Sequence, residues 1–366
     1  MTFKIFNLLA VLLLISTAAN AQKNNKGATK EKTKEVPLQK FPDKGFPENT
    51  FPIADITLIQ VVPDSTRLGY LQKGLGETKV TAIPDMPLTS YFQSYINKKY
   101  ESSYNKDGVH FLWVLKNVRI NQRPFEFGDK AYLYFNADVY ISKDGNSYNF
   151  VTAVDTLLIE GDVNYDINMH YRNIRNALQL LLQTTIDKGR NFTDTANSFL
   201  VTQLISKEQQ RFNLPIYTDT LYKEGAYANF KEFLNNSPSI IDFKTVVANK
   251  NKTVIIVSGK DSIQPWGICQ KGELYKYHQS NLIAIEKQAN GFIMSGYVSG
   301  INRRNRNVLT AGVAGAYTDI IGGDILGRAL ARAASEKLIT VTSVPYIKKH
   351  QPEACTVNMV TGEWFF

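Results

Sequence analysis

The sequence predicts an α+β fold, with an N-terminal antiparallel sheet carrying helices on one face. A mainly β region follows, closing as a meander, sandwich or small barrel and carrying a Gly/Ala-rich helical insertion. Three observations predict this. Lys130 to Ile141 alternates strictly, with Ala131, Leu133, Phe135, Ala137, Val139 and Ile141 on one side and Tyr132, Tyr134, Asn136, Asp138 and Tyr140 on the other. Leu88, Tyr91, Phe92, Tyr95 and Ile96 recur at helical spacing, as do Ile167, Tyr171, Ile174, Leu178, Leu181 and Thr185. Beyond Tyr217 the pattern changes to short apolar runs separated by turn residues.

Asp144-Gly145 suits a two-residue type I′ turn. That turn sets Ile141 opposite Tyr148, Val139 opposite Phe150, Ala137 opposite Thr152, Phe135 opposite Val154, Leu133 opposite Thr156 and Ala131 opposite Leu158. Ile56 to Val62 and Val109 to Ile120 read as further strands. Asp64 to Tyr70 reads as a turn-rich connection. Leu88 to Tyr100 follows Pro87 as a helix. A second helix runs from about Asp166 to Asp187 with Asp162 or Asn164 as cap, and a third from Thr193 to Arg211. In the second half a small helix lies near Asn229 to Asn235. Hairpins pair Asp242–Ala248 with Thr253–Gly259, Trp266–Cys269 with Leu274–Tyr277, and Leu282–Glu286 with Phe292–Val298. Leu338–Val344, Thr356–Met359 and Trp364–Phe366 complete the meander.

The ends and the charge set the expected address. Lys4, the apolar run Ile5 to Ile15 and Ala19-Asn20-Ala21 form a signal peptide over 1–21, cleaved after Ala21. No cysteine stands at the junction to take a lipid, so the expected product is exported to the periplasm or beyond, without a transmembrane span in the mature chain. Residues 22–50 have the Lys, Asn, Pro and Gly content of a disordered linker. An α+β domain over 51–212 and a mainly β domain over 213–366 follow, with the insertion at 308–334. The chain of 366 residues has a formal charge of +9. That charge is scattered rather than striped, which argues against nucleic acid. Its one tight cluster, Arg303, Arg304 and Arg306, is a candidate basic patch.

The insertion places Gly323, Gly327 and Ala331 four apart, a spacing that lets helices approach closely. Its uncharged run, Val308 to Thr318, is much shorter than the roughly 20 residues of a bilayer span. Packing on its own host is the expected role, with insertion into a membrane or a partner's groove as the alternative.

Motifs of chemistry are sparse. Asp162, Asn164, Asp166 and Asn168 alternate like calcium ligands, but Ile167 stands where the loop needs glycine and Asn173 where it needs glutamate. His110, His170, His278 and His350 lack second ligands at zinc spacing. Gly74-Leu75-Gly76 lacks the third glycine of a dinucleotide loop, and Gly322-Gly323-Asp324 has no lysine after it. No Gly-x-Ser-x-Gly elbow occurs. No cofactor and no catalytic residue are therefore expected. The remaining candidates are a recognition face made of Tyr132, Tyr134, Asn136, Asp138 and Tyr140, and a disulfide between Cys269 and Cys355, the two cysteines of an exported chain.

Two resemblances add to this reading. Gly225 and Tyr227, Phe230 and Phe233, Asn236 with Pro238 and Ser239, Trp266-Gly267-Ile268-Cys269 and Thr361-Gly362 follow one another as in a domain of exported Bacteroidota proteins, which this half resembles. No activity comes with that domain, and Gln270-Lys271 departs from its usual acidic residue. Asp64-Ser65-Thr66-Arg67 followed by Gly69, a helix and two long strands is similar to periplasmic auxiliary components of ABC-type lipid transport and to small envelope lipoproteins. The expected function is a non-enzymatic envelope module that binds an envelope protein or a lipid. The alternatives are an auxiliary of lipid transport and a hydrolase whose site assembles only in space.

Overall fold

The computed structural model describes residues 32–38, 51–73, 78–125, 128–162, 168–193, 197–248, 253–294 and 354–366. The signal segment, most of the 22–50 stretch, the Asn164 cap, the Arg303, Arg304 and Arg306 cluster, the 308–334 insertion and the Leu338–Val344 strand lie outside the described residues.

The fold is α+β. Of the eight strands of the first sheet, β2 (Gly69–Lys73), β3 (Thr78–Ile83), β4 (Val109–Phe125), β5 (Gly128–Ser142), β6 (Ser147–Asp162) and β7 (Ser198–Leu200) take the order β3-β2-β4-β5-β6-β7, with β1 (Ile53–Gln60) pairing β4 off this path and a short strand at Thr33–Glu35 completing the eight. β4 is 17 residues long, so one of its edges serves two strands: β1 pairs with Val109–Leu115, and Gly69 at the start of β2 pairs with Ile120. Both pairings are parallel, and the sheet is mixed where an antiparallel one was expected. The return from β3 to β4 through a helix makes a parallel neighbour geometrically available. β2 and β3 themselves form a hairpin in a stretch whose short apolar runs gave no period.

Helices α1 (Leu88–Tyr100) and α2 (Asn168–Gly189) bury their apolar stripes, Tyr91, Phe92 and Ile96 from one and Ile174, Leu178 and Leu181 from the other, on the face formed by Phe111, Trp113, Phe135 and Val139. The expected linker contributes as well. Val36 and Leu38 are 0% and 4% exposed in this core, Val36 N–H donates to the Ile83 carbonyl at 2.9 Å, and Tyr91 Oη donates to the Val36 carbonyl at 2.8 Å. Two apolar side chains among charged neighbours suffice to dock a segment when a sheet edge is open to it.

The β5–β6 register differs from the expected one. Ile141 faces Asn149 and Tyr140 faces Phe150; past a bulge Val139 faces Thr152, Ala137 faces Val154, Phe135 faces Thr156, Leu133 faces Leu158 and Ala131 faces Glu160. The tip explains the shift. Of Asp144 and Gly145 only Gly145 has positive φ, +72°, which excludes a type I′ turn. Asp144 instead accepts hydrogen bonds through Oδ1 from Ser142 Oγ and from the amides of Asn146 and Ser147, widening the loop to four residues. The bulge at Val151 then restores an apolar face, since Val154 and Leu158 reach the same core as Phe135 and Leu133.

The helix expected from Thr193 begins at Val201 as α3 (Val201–Gln209), because Ser198–Leu200 is taken as an edge strand by Ser147–Asn149. Its Leu204 packs with Leu112, Val114, Tyr140 and Tyr148 on the sheet face opposite α1 and α2. Helices thus lie on both faces, where one was expected.

A short turn of helix, α4 (Pro215–Thr218), leads into the second half. There a seven-stranded sheet runs β17-β16-β15-β14-β13-β12-β8, comprising β8 (Gly225–Tyr227), β12 (Gly267–Gln270), β13 (Glu273–His278), β14 (Asn281–Gln288), β15 (Gly291–Ile293), β16 (Thr356–Val357) and β17 (Trp364–Phe365). All neighbours are antiparallel. β9 (Lys244–Ala248), β10 (Thr253–Ser258) and β11 (Asp261–Ile263) make a separate three-stranded sheet. The expected meander is present, and the described strands do not close into a barrel. Helix α5 (Phe230–Leu234) is capped by Asn229, whose side chain accepts from Glu232 N–H.

Several of the aromatic and glycine residues of the second half sit together around this helix. Phe233 lies 4.3 Å from the Trp266 ring and Phe230 5.2 Å, while Trp266 Nε1 donates to the Gly362 carbonyl at 3.0 Å. Gly362 has φ +75°, and a Cβ there would fall 2.4 Å from the Phe230 ring, so only glycine brings the last turn this close.

Candidate functional site: a cleft between the two sheets

The path of β4 decides what reaches the site. Phe111, Trp113 and Leu115 face the helices, but Leu115 pairs with Ala137 and Asn117 with Asn136, leaving Lys116 as a bulged extra residue. The bulge changes the parity of the strand. Val118 and Ile120 now fill the helix-side core, and Asn117, Arg119 and Asn121 emerge on the other face beside Asn136, Tyr134 and Tyr132. Lys116 itself bonds Asp138, with Nζ to Oδ2 at 3.1 Å. Burial raises the Asp138 carboxyl above its usual range while the Lys116 charge opposes the rise.

The second sheet comes against this face. Phe365 packs edge-on to Tyr134 with centroids 5.0 Å apart, and Phe366 lies 6.2 Å from Tyr132. The expected recognition face is therefore covered. Tyr132 is fully buried, Tyr140 is buried under α3 beside Phe150, and Asp138 is spent on Lys116, which leaves Tyr134 and Asn136 partly accessible. Tyr132, Tyr134 and Tyr140 have their hydroxyls pushed up to about 12, chiefly by burial. They act as packing for an internal seam.

Cys269 and Cys355 are both buried thiols and are not bonded to each other. Cys269 lies in the second-sheet core, its sulfur donating towards the Tyr222 carbonyl at 3.7 Å, and burial pushes its thiol up to about 11. Cys355 belongs to the seam against Tyr70, with Lys79 Nζ at 3.9 Å and Asn121 Nδ2 at 3.8 Å. Sequence spacing gave no sign that the two face different cores.

Where the sheets diverge they leave a cleft of about 100 Å³. Its walls are the β1–β2 connection with Asp64 and Arg67, Asn117 to Arg119 of β4, Arg211 and Phe212 after α3, the β14–β15 turn, and the Thr356–Val360 stretch. The charged side chains lining it are Arg67, Arg119, Arg211 and Asp64.

Each arginine is held differently. Asp64 Oδ1 accepts from Thr66 N–H and Thr66 Oγ1, at 2.9 and 2.6 Å, closing the Asp64-Ser65-Thr66-Arg67 turn, and Arg67 Nε lies 3.5 Å from Asp64 Oδ2. Two residues on, Gly69 adopts φ +134°, and a Cβ there would fall 1.9 Å from the Ile120 carbonyl oxygen. Glycine at 69 thus lets this turn sit against β4. Arg211 pairs with Glu208 at 2.5 Å, one helical turn back, and lies over the Phe212 ring. Arg119 has its guanidinium carbon 6.0 Å from the Tyr70 ring centroid, its Nε is buried without an acceptor, and among the described residues no carboxylate pairs with it.

Sequence reasoning assigned none of the three arginines to a site, although Arg67 stood within a motif it quoted. For Arg119 the signal was the parity break in β4, where apolar positions run 109, 111, 113, 115 and then 118, 120.

Among the described residues no group of His, Cys, Asp and Glu is arranged to hold a metal ion, and no helix is long and apolar enough to cross a membrane. No family model and no curated protein matches the sequence. Among solved structures, a protein from Xanthomonas campestris, described by the family model DUF330, aligns with 14% identity over 43% of this chain and 97% of its own, with a TM-score of 0.28. At that score the likeness has no bearing on function.

Proposed function

We propose that this chain is an exported cell-envelope protein that works by binding rather than catalysis, and that its ligand site is the cleft between the two sheets. The observation that carries the proposal is the composition of that cleft: residues from both halves line it, and among them are three arginines and one aspartate. Of the groups with strongly displaced protonation, His170, Lys276 and Cys269 lie elsewhere and apart from one another, and Tyr217, which lines the cleft, is raised by burial against the opposing charge of Arg211, an arrangement unlike the coupled cluster that acid–base or nucleophilic catalysis needs. The signal-peptide pattern and the resemblance of the second half to a domain of exported Bacteroidota proteins support the envelope address. The cleft is well below the roughly 300 Å³ at which pockets for drug-sized or lipid-like ligands begin, so the lipid-transport alternative gains nothing from it.

The test is a fragment screen by ligand-observed NMR on the full chain, repeated on Gln288→Trp, which fills the cleft from the β14–β15 turn. The expected result is a set of fragments that compete for one site and are lost in the variant. A set that binds both proteins equally, or no binding at all, would overturn the proposal.

A further inference from the structure

We infer that the cleft recognises an oxyanion, the phosphate or carboxylate group of its ligand, and that Arg119 is the residue that selects it; this rests on the cleft being the ligand site. Charge makes the first part of the case. The three guanidinium groups and single carboxylate leave the lining with an excess of positive charge. Arg67 and Arg211 have carboxylate neighbours, Asp64 and Glu208, whereas Arg119 has none among the described residues. With no carboxylate to neutralise it among the described residues, the Arg119 charge is left for an anion in the cleft to meet.

Geometry makes the second part. Arg119 enters the cleft from a strand in the middle of the first sheet, fixed between Val118 and Ile120, which are 5% and 0% exposed, and its guanidinium is steadied by the Tyr70 ring. A planar fork held this way is preorganised for two parallel hydrogen bonds to one carboxylate or phosphate, which a lysine could not offer. The cleft's volume suits a single such group with a water or two and excludes a bulky headgroup with its chains. Asn117, from the same strand, and Asn358, from the last turn, line the same space; Asn358 Oδ1 is already taken by the amides of Val360 and Thr361.

Isothermal titration of the full chain with inorganic phosphate and with succinate, at low and raised sodium chloride, tests this. At least one of the two anions is expected to bind saturably. Its affinity should fall with salt, drop at least tenfold in Arg119→Met and Arg119→Gln, and drop by less in Arg119→Lys, which keeps the charge and loses the fork. The comparison uses only variants whose melting temperature stays within a few degrees of the parent. If neither anion binds while fragments still bind in a manner sensitive to Gln288→Trp, the oxyanion assignment falls and the cleft remains a binding site. If an anion binds and both neutral variants keep its affinity, Arg119 is not the selecting residue and the inference is overturned. If nothing binds in a manner sensitive to Gln288→Trp, the binding site itself is wrong.

Discussion

The ammonium group of Lys276 lies 4.3 Å from the Trp266 ring centroid and 5.2 Å from that of Trp364, which joins the middle of the second sheet to its last strand. Lys276 is 6% exposed, and His278 packs edge-on to the same Trp364. Burial pulls the amine down to about 8, against a smaller opposing effect from Glu363. An unfolded lysine titrates near 10.4, so between pH 8 and about 10.4 the unfolded chain holds more protons and stability rises with pH. Below pH 8 both states are charged and the full desolvation cost is present, offset in part by the two ring faces. Removing the charge with Lys276→Met should flatten the profile. Calorimetry from pH 7 to 10 should show the parent gaining about 2 kcal/mol relative to this variant; parallel profiles would refute the account.

His170 gives a slope of the same sign in the acid range. It is fully buried on α2 with Nε2 3.4 Å from Gln122 Oε1, and burial pulls its pKa down to about 3. The unfolded histidine binds its proton near pH 6.5, so stability is lost as pH falls from there toward 3. By pH 4.5 this one residue should account for about 3 kcal/mol of acid destabilisation. Chemical denaturation of His170→Gln at pH 7 and 4.5 should show that much less acid sensitivity than the parent, and an unchanged difference would count against a buried neutral ring.

Val36 and Leu38 supply a third test. Burying side chains of this kind is worth about 1.5–3 kcal/mol each. Val36→Ala with Leu38→Ala should lower the melting temperature by several degrees in thermal denaturation. A melting temperature that does not move would mean that the segment is a bystander.

The thiols supply a fourth. Cys269 and Cys355 are both 0% exposed. The native protein should therefore resist iodoacetamide, and the unfolded protein should take up two labels without any reductant, as read by intact mass. Uptake of labels only after reduction would show the bridge that this structure lacks.

The sequence by itself determined most of the longer elements and their order. A helix at Leu88–Tyr100, the second-half hairpins and the long β5 strand were legible because each rests on a local period or a turn residue that acts on its own neighbours. The same reasoning reached the loop at Asp144-Gly145, but not its hydrogen bonding. An aspartate that caps its own turn and one that fills a type I′ position are the same letters.

Only the tertiary structure decided which faces are buried, and with that the candidate site. Tyr132 and Tyr140 sit in a strand pattern that fits a solvent-facing side equally well; what buries them is Phe366, more than two hundred residues away, and α3. The parallel pairing of β1 with β4 and the separation of the two cysteines depend in the same way on contacts between segments remote in sequence. Arg119 is the clearest case. One bulged residue at Lys116 reverses the side of the sheet on which every later side chain of β4 emerges, since the period of a strand is two. A register shift of that kind is settled by how well a whole face packs, which no local pattern records.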